Sequence, residues 1–81
     1  MIKVYSTPTC SHCKKVKEFL DSINANYVDV DVLKDRVARE EMIELSGQQR
    51  VPVISIDGEI VLGFDKPAII NTLDKHNALM K

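Results

Sequence analysis

Ile2-Lys3-Val4-Tyr5-Ser6-Thr7-Pro8-Thr9-Cys10-Ser11-His12-Cys13 joins two different periodicities across a turn. Its first part, Ile2-Lys3-Val4-Tyr5, is a short β-prone run. It stops at Thr7-Pro8, because proline disfavours helix in the residue before it. From Ser11 the period becomes helical. Val16, Phe19, Leu20 and Ile23 fall at i, i+3, i+4 and i+7, which predicts a helix from Ser11 to about Asn24. Asn24-Ala25-Asn26 breaks it, and Tyr27-Val28-Asp29-Val30-Asp31-Val32 then alternates strictly as a half-buried strand would. Two strands joined by a helix should lie parallel, with a right-handed crossover. Both cysteines stand at the junction where strand becomes helix.

The rest of the chain completes an α/β domain. A second helix is predicted from Asp35 to Ser46, with Ala38, Met42 and Leu45 on one face and Gly47 as its C-cap. Val51-Pro52-Val53-Ile54-Ser55-Ile56 is strand-like, Asp57-Gly58 is a strong hairpin signal, and Glu59-Ile60-Val61-Leu62 returns as the antiparallel partner. A last helix should begin near Asp65, with Pro67 in its first turn and Ile69, Leu73, His76 and Met80 along its apolar stripe. The order β-α-β-α-β-β-α predicts a four-stranded mixed sheet with helices on both faces. At 81 residues, with no repeat and no low-complexity linker, the whole of 1–81 reads as a single domain.

Composition removes several functions. Lys and Arg number 11 against 12 Asp and Glu, and 5% of residues are aromatic, so no electrostatic stripe for nucleic acid is expected. No apolar stretch approaches membrane-spanning length, and the start lacks the apolar region of a secretory signal. A monomer in the cytoplasm is the expectation. The two cysteines, three positions apart, close too small a loop to restrain much of the unfolded chain, so they are read as chemistry.

At a helix start, Cys10 and Cys13 lie one turn apart on one side, placed to close a small disulfide ring. The helix dipole and its unpaired N–H groups favour an anion at Cys10, with Lys14, Lys15 and Lys17 adding positive charge. Cys10 is therefore the expected nucleophile, and Cys13 the more enclosed resolving thiol. The gain from easier ionisation is limited. Lowering a thiol from pKa ~8.5 to about 6 raises its ionised fraction at pH 7 by about thirtyfold, while each thiolate loses about tenfold in nucleophilicity. Such a site favours turnover, since a stable thiolate is also a good leaving group. Tetrahedral zinc needs four ligands. His12 and His76 are the remaining candidates and no second cysteine pair exists, so no metal is assigned.

Three segments, Tyr5-Ser6-Thr7-Pro8-Thr9-Cys10-Ser11-His12-Cys13, Arg50-Val51-Pro52-Val53 and Leu62-Gly63-Phe64-Asp65, resemble the signature segments of the glutaredoxins, in the same order and spacing. The resemblance covers essentially the whole chain. It implies the thioredoxin fold in its minimal form and disulfide exchange with glutathione as reductant, no cofactor being permanently bound. It also implies that Cys10 is the nucleophile, Cys13 the resolving thiol and Pro52 a cis-proline beside them. The Val51 backbone would then pair with an extended substrate. A plain edge-strand start is the alternative reading of Pro52.

Glutathione needs a cation for its glycine carboxylate, backbone groups for its middle, and N–H donors plus an acid for its γ-glutamyl end. Arg50, with Gln49 beside it, is the candidate cation, although a solvated charge before a strand is an equal reading. Gly63, Phe64 and Asp65 at a helix start supply the other end, where Asp65 is also a natural N-cap. Thr9, Ser11 and His12 are expected at the rim. An ordinary imidazole is mostly neutral at pH 7, so acid–base help from His12 would be partial. The chain also departs from the common glutaredoxin pattern. Thr7 stands where many members have lysine, Ser11-His12 replaces Pro-Tyr, Phe64 replaces a small residue, and Lys66 replaces the second acid of an Asp-Asp pair. Gly63-Phe64 followed by Pro67-Ala68-Ile69-Ile70-Asn71 is similar to the glutaredoxin-like redoxins that serve ribonucleotide reductase, which implies thioredoxin reductase as the alternative donor. Some glutaredoxins instead bridge a [2Fe–2S] cluster between two chains. Such a cluster takes four thiolates, and Cys13 would compete with it by forming the disulfide. Disulfide-bearing or glutathionylated proteins are the expected clients.

Overall fold

The computed structural model describes residues 1–76. Strand β1 (Ile2–Ser6) leads through a turn into helix α1 (Ser11–Ser22), strand β2 (Val28–Asp31) and helix α2 (Arg36–Ser46). Strands β3 (Val53–Ile56) and β4 (Glu59–Leu62) form the hairpin, and helix α3 (Lys66–Lys75) follows. The sheet order is β2-β1-β3-β4, with β1 parallel to β2 and antiparallel to β3. This is the expected four-stranded mixed sheet of the thioredoxin fold.

Alternation along the two central strands divides the core. Ile2, Val4, Ile54, Ile56 and Val61 point to one face, where Val16 and Leu20 of α1 and Ile69 and Leu73 of α3 cover them. Tyr5 and Val53 point to the other face and meet Val32 with Ala38 and Met42 of α2. A fully buried Leu or Ile contributes about 1.5–3 kcal/mol, so the two-helix face, with nine buried members, carries most of the hydrophobic stabilisation.

Local signals explain where the elements end. Gly47 closes α2 in the left-handed conformation, φ 71°, and its N–H donates to the Ile43 carbonyl at 2.8 Å. Asp57 and Gly58 both take positive φ, 49° and 93°, as a two-residue hairpin turn requires.

Several expectations need correction. Leu45 is 46% exposed instead of buried, and Ile43 packs against the core in its place. The segment Tyr27–Val32 is not a half-buried alternating strand. It is paired only over Val28–Asp31, and Val28 is 45% exposed because β2 is an edge with a single neighbour. The third strand begins at Val53, not Val51, since Pro52 has no N–H to give the ladder. His76 is not a member of the stripe within α3 but its C-cap, half-buried beside Asp57 and Glu59. Met80 lies outside the described residues.

Candidate active site

β1 ends at Ser6, and a tight turn, in which the Cys10 N–H donates to the Thr7 carbonyl at 3.3 Å, brings the chain to α1. Cys10 is the N-cap of that helix, extended at φ −89° and ψ 114°. Its Sγ accepts the Cys13 N–H at 3.2 Å. The other two helices begin alike: Asp35 Oδ1 accepts the Ala38 N–H at 3.0 Å, and Asp65 Oδ1 accepts the Ala68 N–H at 3.2 Å. A thiol therefore occupies the capping place that aspartate fills elsewhere in the molecule, satisfying one of the orphan donors of the first turn. Both cysteines are free thiols. Cys10 is partly exposed, and Cys13 is completely buried.

Opposite Cys10 lies the Val51 carbonyl, 3.9 Å from Sγ, and the Val51–Pro52 peptide is cis. Pro52 is buried, and its carbonyl accepts the Gly63 N–H at 2.9 Å. Gly63 makes that contact with φ at +71°, a conformation L side chains rarely adopt. The contact binds the end of β4 to the loop before β3. A groove of about 230 Å³ results, lined by Gln48, Arg50, Val51, Pro52, Leu62 and Gly63. Sequence reasoning named four of these six. Gln48 and Leu62 were missed, and Leu62, apolar yet 47% exposed, shows its role only once β4 is known to be an edge.

The remaining expected residues are spread around this groove. Thr9 is exposed on the turn, Ser11 and His12 are exposed at the start of α1, and Gln49 is exposed with its Oε1 3.5 Å from Arg39 Nη2. Phe64 is turned toward the core face, edge-on to Phe19 with centroids 6.5 Å apart, and the Lys66 ammonium sits 5.2 Å from the Phe19 centroid. Asp65 has one carboxylate oxygen committed to its own helix.

Cys13 stands in different surroundings. Burial pushes its thiol well above the ordinary value, and the hydrogen bond with Cys10 pushes it further, while the Thr7 backbone and the Lys17 charge act in the opposite direction. Lys17 is not free to serve Cys10 as expected: its Nζ donates to Asp29 Oδ2 at 3.1 Å. Asp29 Oδ1 accepts from the buried Ser6 hydroxyl at 2.7 Å. Lys14 and Lys15 project outward, exposed. The i, i+4 relation of Cys13 and Lys17 was legible, but nothing in the sequence joins either to Asp29.

The glutaredoxin family model matches residues 2–61, well over half of the sequence. The chain belongs to the glutaredoxin family. A glutaredoxin-like 8.6 kDa protein from the rubredoxin operon of Clostridium pasteurianum is 56% identical over 75 residues, 93% of this chain and 100% of its own length. Glutaredoxin 3 of Escherichia coli is 33% identical over 64 residues, covering 79% of this chain and 77% of its own. Among solved structures, the thioredoxin-like protein BC3987 superposes with a TM-score of 0.85 at 38% identity, covering 90% of this chain and 100% of that one. This glutaredoxin is thus a thioredoxin-fold redox protein whose two thiols meet in one helical turn. Among the described residues no helix is long and apolar enough to cross a membrane.

Proposed function

We propose that this glutaredoxin is a dithiol thiol–disulfide oxidoreductase that reduces protein disulfides and glutathione mixed disulfides, with glutathione as its electron donor. The observation carrying the reading is the unequal burial of two thiols joined by the Cys13 N–H to Cys10 Sγ hydrogen bond. Cys10 alone meets solvent, so it attacks the client disulfide and one client thiol leaves. The mixed disulfide at Cys10 is then broken by Cys13, giving the Cys10–Cys13 disulfide, or by a glutathione thiolate. Two molecules of glutathione return the oxidised protein to the dithiol and leave as glutathione disulfide.

The groove suits an extended thiol peptide. The Val51 carbonyl faces the reacting sulfur, where it can accept a substrate N–H in the manner of strand addition. Arg50 offers a cation at one end for a carboxylate, and Gly63 with the N-terminus of α3 offers donors at the other. Such chemistry belongs where thiols are kept reduced, which supports a cytoplasmic setting.

One observation favours a second donor. Phe64, Lys66 and Asp65 are engaged with Phe19 and with the start of α3, which leaves the γ-glutamyl end thinly served. A flavoprotein disulfide reductase of the thioredoxin reductase type needs only access to Cys10 and the Val51 backbone. The deciding experiment supplies oxidised protein either with glutathione and glutathione reductase or with NADPH and thioredoxin reductase. Turnover with the first pair is the expected result. Turnover only with the second replaces glutathione by the reductase.

A further inference from the structure

Beneath the C-x-x-C turn, one chain of contacts serves neither the groove nor the capping of α1. Lys17 follows Cys13 by four residues, so it stands over the next turn of the same helix face. Its ammonium does not extend into water as those of Lys14 and Lys15 do. The side chain is 27% exposed and reaches from α1 to the edge strand, where Asp29 Oδ2 holds it at 3.1 Å. Asp29 is itself fixed, since its other oxygen accepts from Ser6 Oγ at 2.7 Å. Ser6 is the sole buried polar residue among those described, 2% exposed, and it is the last residue of β1 before the redox turn. Pairing of Val4 with Asp29 and of Ser6 with Asp31 puts Asp29 and Ser6 on the face of the sheet that α1 covers. A hydroxyl at the end of the central strand thus fixes a carboxylate, which fixes a cation carried one helical turn from the buried thiol.

We propose that Lys17, anchored through Asp29 to Ser6, is a positioning residue for the resolving step, holding a fixed positive charge beside Cys13 as that thiol becomes a thiolate. The inference rests on the dithiol mechanism above. In that step Cys13 gives its proton to solvent, its sulfur attacks Cys10 Sγ, and the bond from Cys10 to the client sulfur breaks. The client sulfur leaves with the electron pair and takes up a proton, and Lys17 keeps its own proton throughout. Cys13 faces the Cys10 sulfur and the Thr7 backbone from the turn, Lys17 from its own helix, and Asp29 behind Lys17 from β2. Lys17 is the one cation in this set. Without it a completely buried sulfur would have to ionise beside another sulfur with backbone donors alone.

The expected effect is modest, because ionisation and nucleophilicity oppose each other. A tenfold loss of thiolate at Cys13 is partly offset by an increase of about threefold in the nucleophilicity of each thiolate that does form, so the net slowing is about threefold. Stopped-flow mixing of the reduced protein with an aromatic disulfide that releases a coloured thiol separates the steps. Attack by Cys10 releases one equivalent, and resolution by Cys13 releases a second. In Lys17→Met the second phase should slow about threefold and stay below wild type in parallel from about pH 7 to 9, with the first phase unchanged. Lys17→Arg should restore it, and Asp29→Asn, which frees the ammonium to swing into solvent, should slow it in the same direction. Added salt should slow the wild-type second phase more than that of Lys17→Met. A second phase unaltered in Lys17→Met, or slowed as much in Lys17→Arg, overturns the proposal. A wild-type protein that releases only one equivalent breaks the dithiol mechanism and this proposal with it. The missing second phase tells that outcome from the others.

Discussion

The mouth of the redox turn and the floor beneath it differ in nearly every physical respect, though their two sulfurs belong to residues only three positions apart. At the mouth, Cys10 is partly exposed, caps α1 and contacts the Val51 carbonyl, a residue that lines an open groove. At the floor, Cys13 is completely buried, its thiol pushed up by desolvation, with the Lys17–Asp29–Ser6 contacts alongside. The proposed division of labour between identical side chains thus rests on what surrounds each sulfur. One is placed to meet clients, and the other to meet only its neighbour.

The strongest test removes the mouth. Cys10→Ser should reduce activity on every disulfide substrate by at least about a thousandfold, because Cys13 has no route to a client; coupled NADPH turnover measures it. Removing the floor should discriminate between substrates. Cys13→Ser should keep activity on a glutathionylated protein, where a second glutathione resolves the intermediate, and lose at least about tenfold on an intramolecular protein disulfide. Loss on both would mean the two roles are wrongly divided.

The contrast also predicts a pH signature in stability. The folded Cys13 thiol ionises above its ordinary value of 9.0, so the native state holds a proton that the unfolded chain releases first. That contribution is fully present below about pH 9 and is lost as pH rises toward the folded value. Tyr5, raised to about 12 by burial and by its hydrogen bond to Glu41, behaves in the same sense, but in both redox forms. Subtracting urea-unfolding curves of oxidised from reduced protein cancels Tyr5. The stability of the reduced form relative to the oxidised form should fall above about pH 9, and a flat difference would argue that Cys13 is not desolvated. A smaller effect is expected at the floor's anchor: Ser6→Ala should cost about 1 kcal/mol in urea denaturation. Smallest of all is His12→Ala. Its exposed imidazole makes no hydrogen bond among the described residues, and steady-state rates should stay within about twofold.

Much of the mouth was readable from local pattern. The change of period at Ser11, the Asp57-Gly58 turn, Gly47 after an amphipathic run and Asp65 before Lys66-Pro67 each carry their own short-range physics, and each element begins within a residue or two of its expected place. Cys10 and Val51, 41 positions apart, came together only through the family resemblance. The floor was not readable. Asp29 looked like one of two polar residues on an alternating strand, and its contact with Ser6 depends on a parallel register that no local signal encodes. Leu45 misled for a related reason. Spacing from Met42 placed it on the buried face, but α2 ends at Ser46 and Ile43 fills the core position.

Cys13's enclosure also governs how the protein meets electrophiles. An alkylating reagent or a peroxide encounters one sulfur, so the reduced chain should accept a single label although it holds two thiols. If Cys10 is instead oxidised to a sulfenic acid, the neighbour one turn away can condense with it and expel water, which halts oxidation at the reversible disulfide. The same buried thiol that resolves the mixed disulfide in the proposed cycle would thereby shield its exposed partner from irreversible damage.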